Sequence, residues 1–167
     1  MPDIANYTYR TLIEQIQAWA AQHNNIQKFG YGTTSDISVP RDMTTPQYPY
    51  VFVNPTVHTF GVRVLNVGIN LICMDLVPVD GFSNTTGQGV DDLSSLTVWK
   101  AQSDMTELVR DFVSYFQQVD AATFHQISIE RGFSVTPFIE NFGDRVVGVT
   151  AAINITIDYP LNNCVQS

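Results

Sequence analysis

The sequence predicts an α+β domain: an antiparallel sheet of long strands packed against two helices, in the order α-β-β-β-α-β-β. Three observations carry this. Val147 to Tyr159 alternates apolar and polar residues at period two over more than ten positions, longer than a usual strand of about 5–6 residues. Two segments, Tyr7 to His23 and Val98 to Gln118, repeat their apolar residues at helical spacing. At 167 residues the chain has the size of one domain, and it needs neither a disulfide nor a metal to hold a core.

The elements follow in order. In the first helix Leu12, Ile13, Ile16, Trp19 and Ala20 share a face, with Asn6 as the expected N-cap and Asn24-Asn25 at the exit. A short alternating piece, Ile26 to Tyr31, reads as a strand, and Gly32 to Gln47, rich in Thr, Ser, Asp and Pro, as a loop. Tyr48 to Val53 is aromatic and β-branched, and Pro49 places its start at a sheet edge. From Val57 to Val77 runs one long extended stretch. Val62 and Val64 have one parity and Leu65 to Cys73 the other, so a bulge or bend is expected near Leu65 and Asn66, or else burial on both faces. The segment 78–96, with three glycines, reads as a long loop of the kind that carries function. In the second helix Met105, Leu108, Val109, Phe112, Val113 and Phe116 form the buried face. A hairpin closes the chain: Ile127 to Pro137, a link from Phe138 to Asp144, and the returning strand, ended by Pro160.

Composition narrows the function. Charged residues make up 14% of the chain against about 25% in ordinary domains. Such a neutral polar surface is easily desolvated, which favours contact between subunits. The net charge is −8, and Lys28 and Lys100 are the only lysines. Arg63, Arg110, Arg131 and Arg145 stand apart, so the basic cluster needed to neutralise phosphates is missing. Specific nucleic-acid binding is not expected, although nucleic acid passing nearby is compatible with this charge. Cys73 reads as a small buried hydrophobe and Cys164 as a free thiol in the tail. No signal peptide and no apolar run of membrane-spanning length are visible, so Asn6, Asn84 and Asn154 read as chance N-x-S/T triplets and the folding compartment as a reducing cytoplasm.

Catalytic and cofactor motifs are absent: no GxSxG, no Walker loop, no GxGxxG after a strand, no HExxH. His23, His58 and His125 are scattered, without partners at metal-ligand spacing. Asp80, Asp91 and Asp92 suggest at most a divalent-ion site, the basis of a rival reading as a small ion-binding domain or hydrolase. Glu140 and Asp144 are loop carboxylates with no visible partner acid. Phe82, Phe138 and Phe142 fall in expected loops, where large apolar groups suit subunit contacts. The polar face of the last strand, Thr150, Asn154, Thr156 and Asp158, suits a neighbour or a water-filled channel.

Two segments resemble small virion proteins of tailed bacteriophages: Tyr48-Pro49-Tyr50-Val51-Phe52-Val53-Asn54-Pro55, and the closing TPFIENFGDRVVGVTAAINITIDYPLNNC from Thr136 to Cys164. The order of elements is similar to that of tail terminator and neck (head–tail joining) proteins. This resemblance implies a homo-oligomeric ring, typically a hexamer, located in the virion at the upper end of the tail tube. There it would end tube polymerisation, contact tube and neck or connector proteins, and let DNA pass through its lumen. A neck protein or another tube component is the alternative within this class. The resemblance implies no enzyme activity, cofactor or catalytic residue.

Overall fold

The computed structural model describes residues 8–37, 48–77, 90–122, 126–141 and 145–158. Helix α1 (Tyr9–Gln22) is followed by β1 (Lys28–Tyr31), β2 (Tyr50–Phe60), β3 (Val64–Val77), α2 (Val90–Ala122), β4 (Ile127–Ile129), β5 (Ser134–Asn141) and β6 (Arg145–Asp158). The chain has the expected α+β class. The strands form one six-stranded sheet in the order β1-β2-β3-β6-β4, and β5 lies beside β4 along the same side of β6. Every pairing is antiparallel except β1 with β2, which makes the sheet mixed.

Both helices pack on one face. Alternation delivers Leu65, Val67, Ile69, Leu71 and Cys73 of β3, and Val149 to Ile157 at odd positions of β6, to a single core with Leu12, Ile16 and Trp19 of α1 and Met105, Leu108 and Phe112 of α2. The ring of Trp19 meets that of Phe112 edge-on at 5.1 Å, fixing the contact between the helices. Helix α2 has 33 residues, or about 50 Å at 1.5 Å per residue, close to the ~46 Å of a 14-residue strand. One helix can therefore follow the whole length of β3 and β6. The opposite face carries a smaller cluster at one end: Tyr50, Phe52, Ile72, Met74 and Val146, with Phe138 packed against it. Leu71 to Met74 are thus all buried, the two-faced burial expected of a central strand.

Several boundaries differ from the sequence reading. Thr8, not Asn6, caps α1: its hydroxyl accepts from the Thr11 N–H, and the Thr11 side chain answers to the Thr8 backbone. The run from Val57 to Val77 is not one strand. Strand β2 continues through Asn54-Pro55 to Phe60, and a turn at residues 61–63 leads into β3. The Gly61 N–H donates to the Val64 carbonyl and closes that turn. Pro55 is tolerated because its nitrogen faces the β1 side, where β1 has already ended opposite Val53. The bulge also lies elsewhere. It falls in β2 between Pro55 and His58, where one extra residue is accommodated, and β3 pairs without a break. Helix α2 starts at Val90, so the end of the expected 78–96 loop is helical; residues 78–89 lie outside the described residues. Asp91 and Asp92 fall within this helix and not in a loop. Lastly, β5 runs through Pro137 to Asn141, so the link shortens to residues 142–144. Proline is tolerated there because β5 is an edge strand.

Candidate assembly surfaces

The sheet offers three surfaces that no described element covers. The first is the tip of the β2–β3 hairpin. β1 accompanies β2 only from Tyr50 to Val53, so among the described residues no strand lies on the outer side of 54–60. The bulge shifts parity by one residue: Val51 and Val53 face the helices before it, whereas His58 and Phe60, opposite Val67 and Leu65, share that face after it. Tyr9 at the start of α1 reaches His58 but leaves the rest of this end bare. Val57, Phe60 and Val62 are 79%, 77% and 97% exposed, three large apolar groups at the end of one hairpin. His58 is tied back by its ring, 4.8 Å from that of Tyr9, whose hydroxyl lies 2.6 Å from the Tyr31 hydroxyl. Partial burial, and then the bond to Tyr31, push the Tyr9 phenol above its ordinary range.

The second surface is the polar part of the open face. Thr150, Asn154, Thr156 and Asp158 do lie together there, alongside Asn66, Gly68 and Asn70 of β3. Thr156 donates to Asn66 Oδ1 at 2.9 Å, Asn154 donates to Glu130 at 3.0 Å, and the Asn54 amide donates to the Gly32 carbonyl at 3.0 Å. These cross-strand bonds occupy part of each side chain, and Asn154 and Asp158 remain exposed.

The third surface is the outer edge of β5. Val135 and Ile139 are exposed on the helix side of the sheet, and Ile139 pairs with Val147, on which Val98 and Ala101 of α2 pack. Trp99, next along the helix, is 67% exposed.

The expected site residues divide accordingly. Phe138 is not in a loop. It stands in β5 opposite Gly148, half-buried against the Tyr50 cluster, because the strand runs on through Pro137. Phe82 and Phe142 lie outside the described residues, as do Asp80, His125, Asp144 and Cys164. Glu140 is an exposed residue of β5 rather than of a loop. His23 caps the end of α1 and meets Asp111 of α2 at 3.3 Å, tying the helices together. Cys73 is fully buried, and burial pushes its thiol up to about 12. The exposed apolar tip is not legible in the sequence because its turn is hidden in an unbroken extended run. The signal available was Gly61 followed by Val62 and Arg63 at the change of parity.

A cleft of about 510 Å³ opens between the α1–β1 corner and α2, lined by Asn24, Gln27, Pro49, Asp75, Asp104 and Asp111 among others. Burial and, secondarily, Asp104 raise the Asp75 carboxyl, while the Leu76 N–H opposes the shift. The acidic wall disfavours phosphorylated or carboxylate ligands. Among the described residues no three His, Cys, Asp or Glu side chains are arranged to hold a metal ion. Nor is any helix among them long and apolar enough to cross a membrane. The sequence matches no known protein-family model and no curated protein.

Proposed function

We propose that this chain is a structural subunit that assembles with copies of itself into a closed ring, and that the ring is the tail terminator of a tailed bacteriophage. The observation that carries the reading is the hairpin tip. Val57, Phe60 and Val62 project beyond the helices with no described element over them, and a monomer in water gains nothing from displaying three apolar side chains on one rigid hairpin. A head-to-tail contact centred there gives a ring when the rotation closes. The low charge density and the polar, uncharged part of the open face fit a subunit whose surfaces meet other subunits or line a water-filled lumen. The resemblance of residues 48–55 and 136–164 to small phage virion proteins supplies the assignment to the end of the tail tube, with tube and neck proteins as partners and DNA passing without being gripped.

Light scattering coupled to size exclusion tests the first part: the expected mass is a fixed multiple, six for a hexamer, of the 18.6 kDa chain. Negative-stain images should then show closed rings. Added to growing tail tubes, the rings should cap one end and arrest elongation. A chain that stays monomeric at every concentration overturns the reading, and a layer repeating along the tube would make it a tube component.

A further inference from the structure

We infer that His23 is an acid-operated catch. Neutral, it holds the turn between α1 and β1; on taking a second proton it releases that turn while keeping its hold on α2.

Backbone and ring of this residue both serve as joints. Its N–H donates to the Trp19 carbonyl and ends α1, and its carbonyl accepts from the Ile26 N–H, which closes a turn over Asn24 and Asn25. In the ring, Nδ1 accepts from the Asn25 N–H at 3.3 Å, and Nε2 lies 3.3 Å from Asp111 Oδ2 of α2. A backbone N–H can only donate, so Nδ1 must present its lone pair. The single ring proton therefore sits on Nε2, where the Asp111 carboxylate accepts it. The imidazolium cannot serve both partners, because it donates from both nitrogens. A proton on Nδ1 sets two donors face to face and breaks the bond to Asn25, whereas the bond to Asp111 becomes charge-assisted. The ring then stays with α2 and leaves the turn. The surroundings favour this outcome. Asp104, Glu107 and Asp111 of α2 and Asp75 of β3 line the cleft beside the turn. Of the cations nearby, Arg110 is held by Glu107 at 2.8 Å, and Lys28 stands over the Tyr50 ring. Asn25 is exposed, so its released N–H passes to water. The Gln27 N–H keeps its bond to the Pro49 carbonyl at 2.9 Å, which confines the change to Asn24 and Asn25. Both residues line the cleft, so acid loosens one of its walls and leaves the helices joined.

Amide NMR of the full chain from about pH 8 down to about pH 5, the range in which histidine changes charge, tests this. At the upper end, long-range proton–nitrogen spectra should place the His23 proton on Nε2. As the pH falls, the Asn25 amide should shift along the same curve as the His23 ring. Its protection from hydrogen exchange, corrected for the intrinsic rate, should drop about two- to tenfold, as expected for one lost hydrogen bond. His23→Asn supplies a side-chain oxygen that accepts from the N–H two residues on whatever the pH, so in that variant the Asn25 amide should stay protected throughout. His23→Ala should leave it unprotected throughout; circular dichroism establishes that both variants are folded. A proton on Nδ1 at the upper end, or an Asn25 amide that does not follow the His23 ring, would overturn the catch in the wild type alone. A pH response that survives in His23→Asn would also overturn it, because that response would belong to the carboxylates of the cleft.

Discussion

The two faces of the sheet use the same strands in opposite ways. On the helix face, Ile, Val and Leu recur at every odd position from Leu65 to Leu71 in β3 and, with one alanine, from Val149 to Ile157 in β6, and two helices cover them without a gap. On the open face the same strands present Asn66, Gly68 and Asn70 beside Asn154 and Thr156, and only one end of the sheet, around Phe52 and Ile72, is apolar. Most of the buried apolar residues accordingly lie on one face, while much of the other presents polar side chains. The difference is measurable one substitution at a time.

The largest effect belongs to the centre of the helix face. Phe112 is fully buried and touches the rings of both Trp19 and Phe116. Phe112→Ala removes those contacts and leaves a cavity between two helices and the sheet, at a cost of about 3–5 kcal/mol. Urea unfolding of the variant should show this as a lower midpoint at unchanged slope. A loss below about 1 kcal/mol would mean that the helices do not lock the face as described.

The apolar end of the open face should give the next largest effect. Gly148 is glycine because the Cys73 carbonyl, the Met74 Cα at 2.9 Å and the Phe138 ring at 2.8 Å occupy the space a Cβ would take. The ring can move, but the backbone of β3 cannot. Gly148→Ala should therefore destabilise by about 1–3 kcal/mol, the ordinary cost of overpacking, again read by urea unfolding. Shortening the ring as well, in Gly148→Ala/Phe138→Leu, should recover only a small part of that loss. Full recovery would show that the ring alone sets the constraint.

How far these faces were legible in the sequence depends on the strand. In β6 alternation continues from Val149 to Asp158 against a single buried face, so parity there reports which residues point inward. Its polar side, Thr150 to Asp158, is legible for the same reason. Alternation cannot report a turn flanked by apolar residues on both sides. Val57 to Val64 therefore concealed a hairpin, and the parity shift introduced by the β2 bulge added to the confusion. Pro137 reads as a strand terminus and so puts Phe138 in the link, and only the tertiary position of β5, at an edge, removes the penalty. The parallel pairing of β1 was out of reach: four residues carry no directional signal, and the connection back to β2 is long. The exposure of the hairpin tip and of Trp99 is a tertiary fact, since Val62 and Trp99 look like core residues by type alone.

The smallest effect, and the one that locates where the helix face stops, comes from Asp75. Odd parity places it in line with Leu71 and Cys73, opposite Val147, but there the apolar stripe gives way to an acidic cleft beside Asp104. Burial, with Asp104 as the lesser cause, raises its pKa above the unfolded value. The folded state therefore holds the proton more tightly than the unfolded one. Stability from this group is fully present below the ordinary Asp value near 4 and is lost as pH rises through the raised folded value. Asp75→Asn cannot lose a proton, so it should be the more stable form at pH 7 and should approach the wild type as the pH falls toward 4. The gain is small because the side chain is half-exposed and solvent screens its charge. Urea midpoints measured for both chains between pH 4 and 8 check this. A wild type that becomes relatively more stable with rising pH would mean that Asp75 is held by a favourable partner, and that the helix face does not end where its apolar residues do.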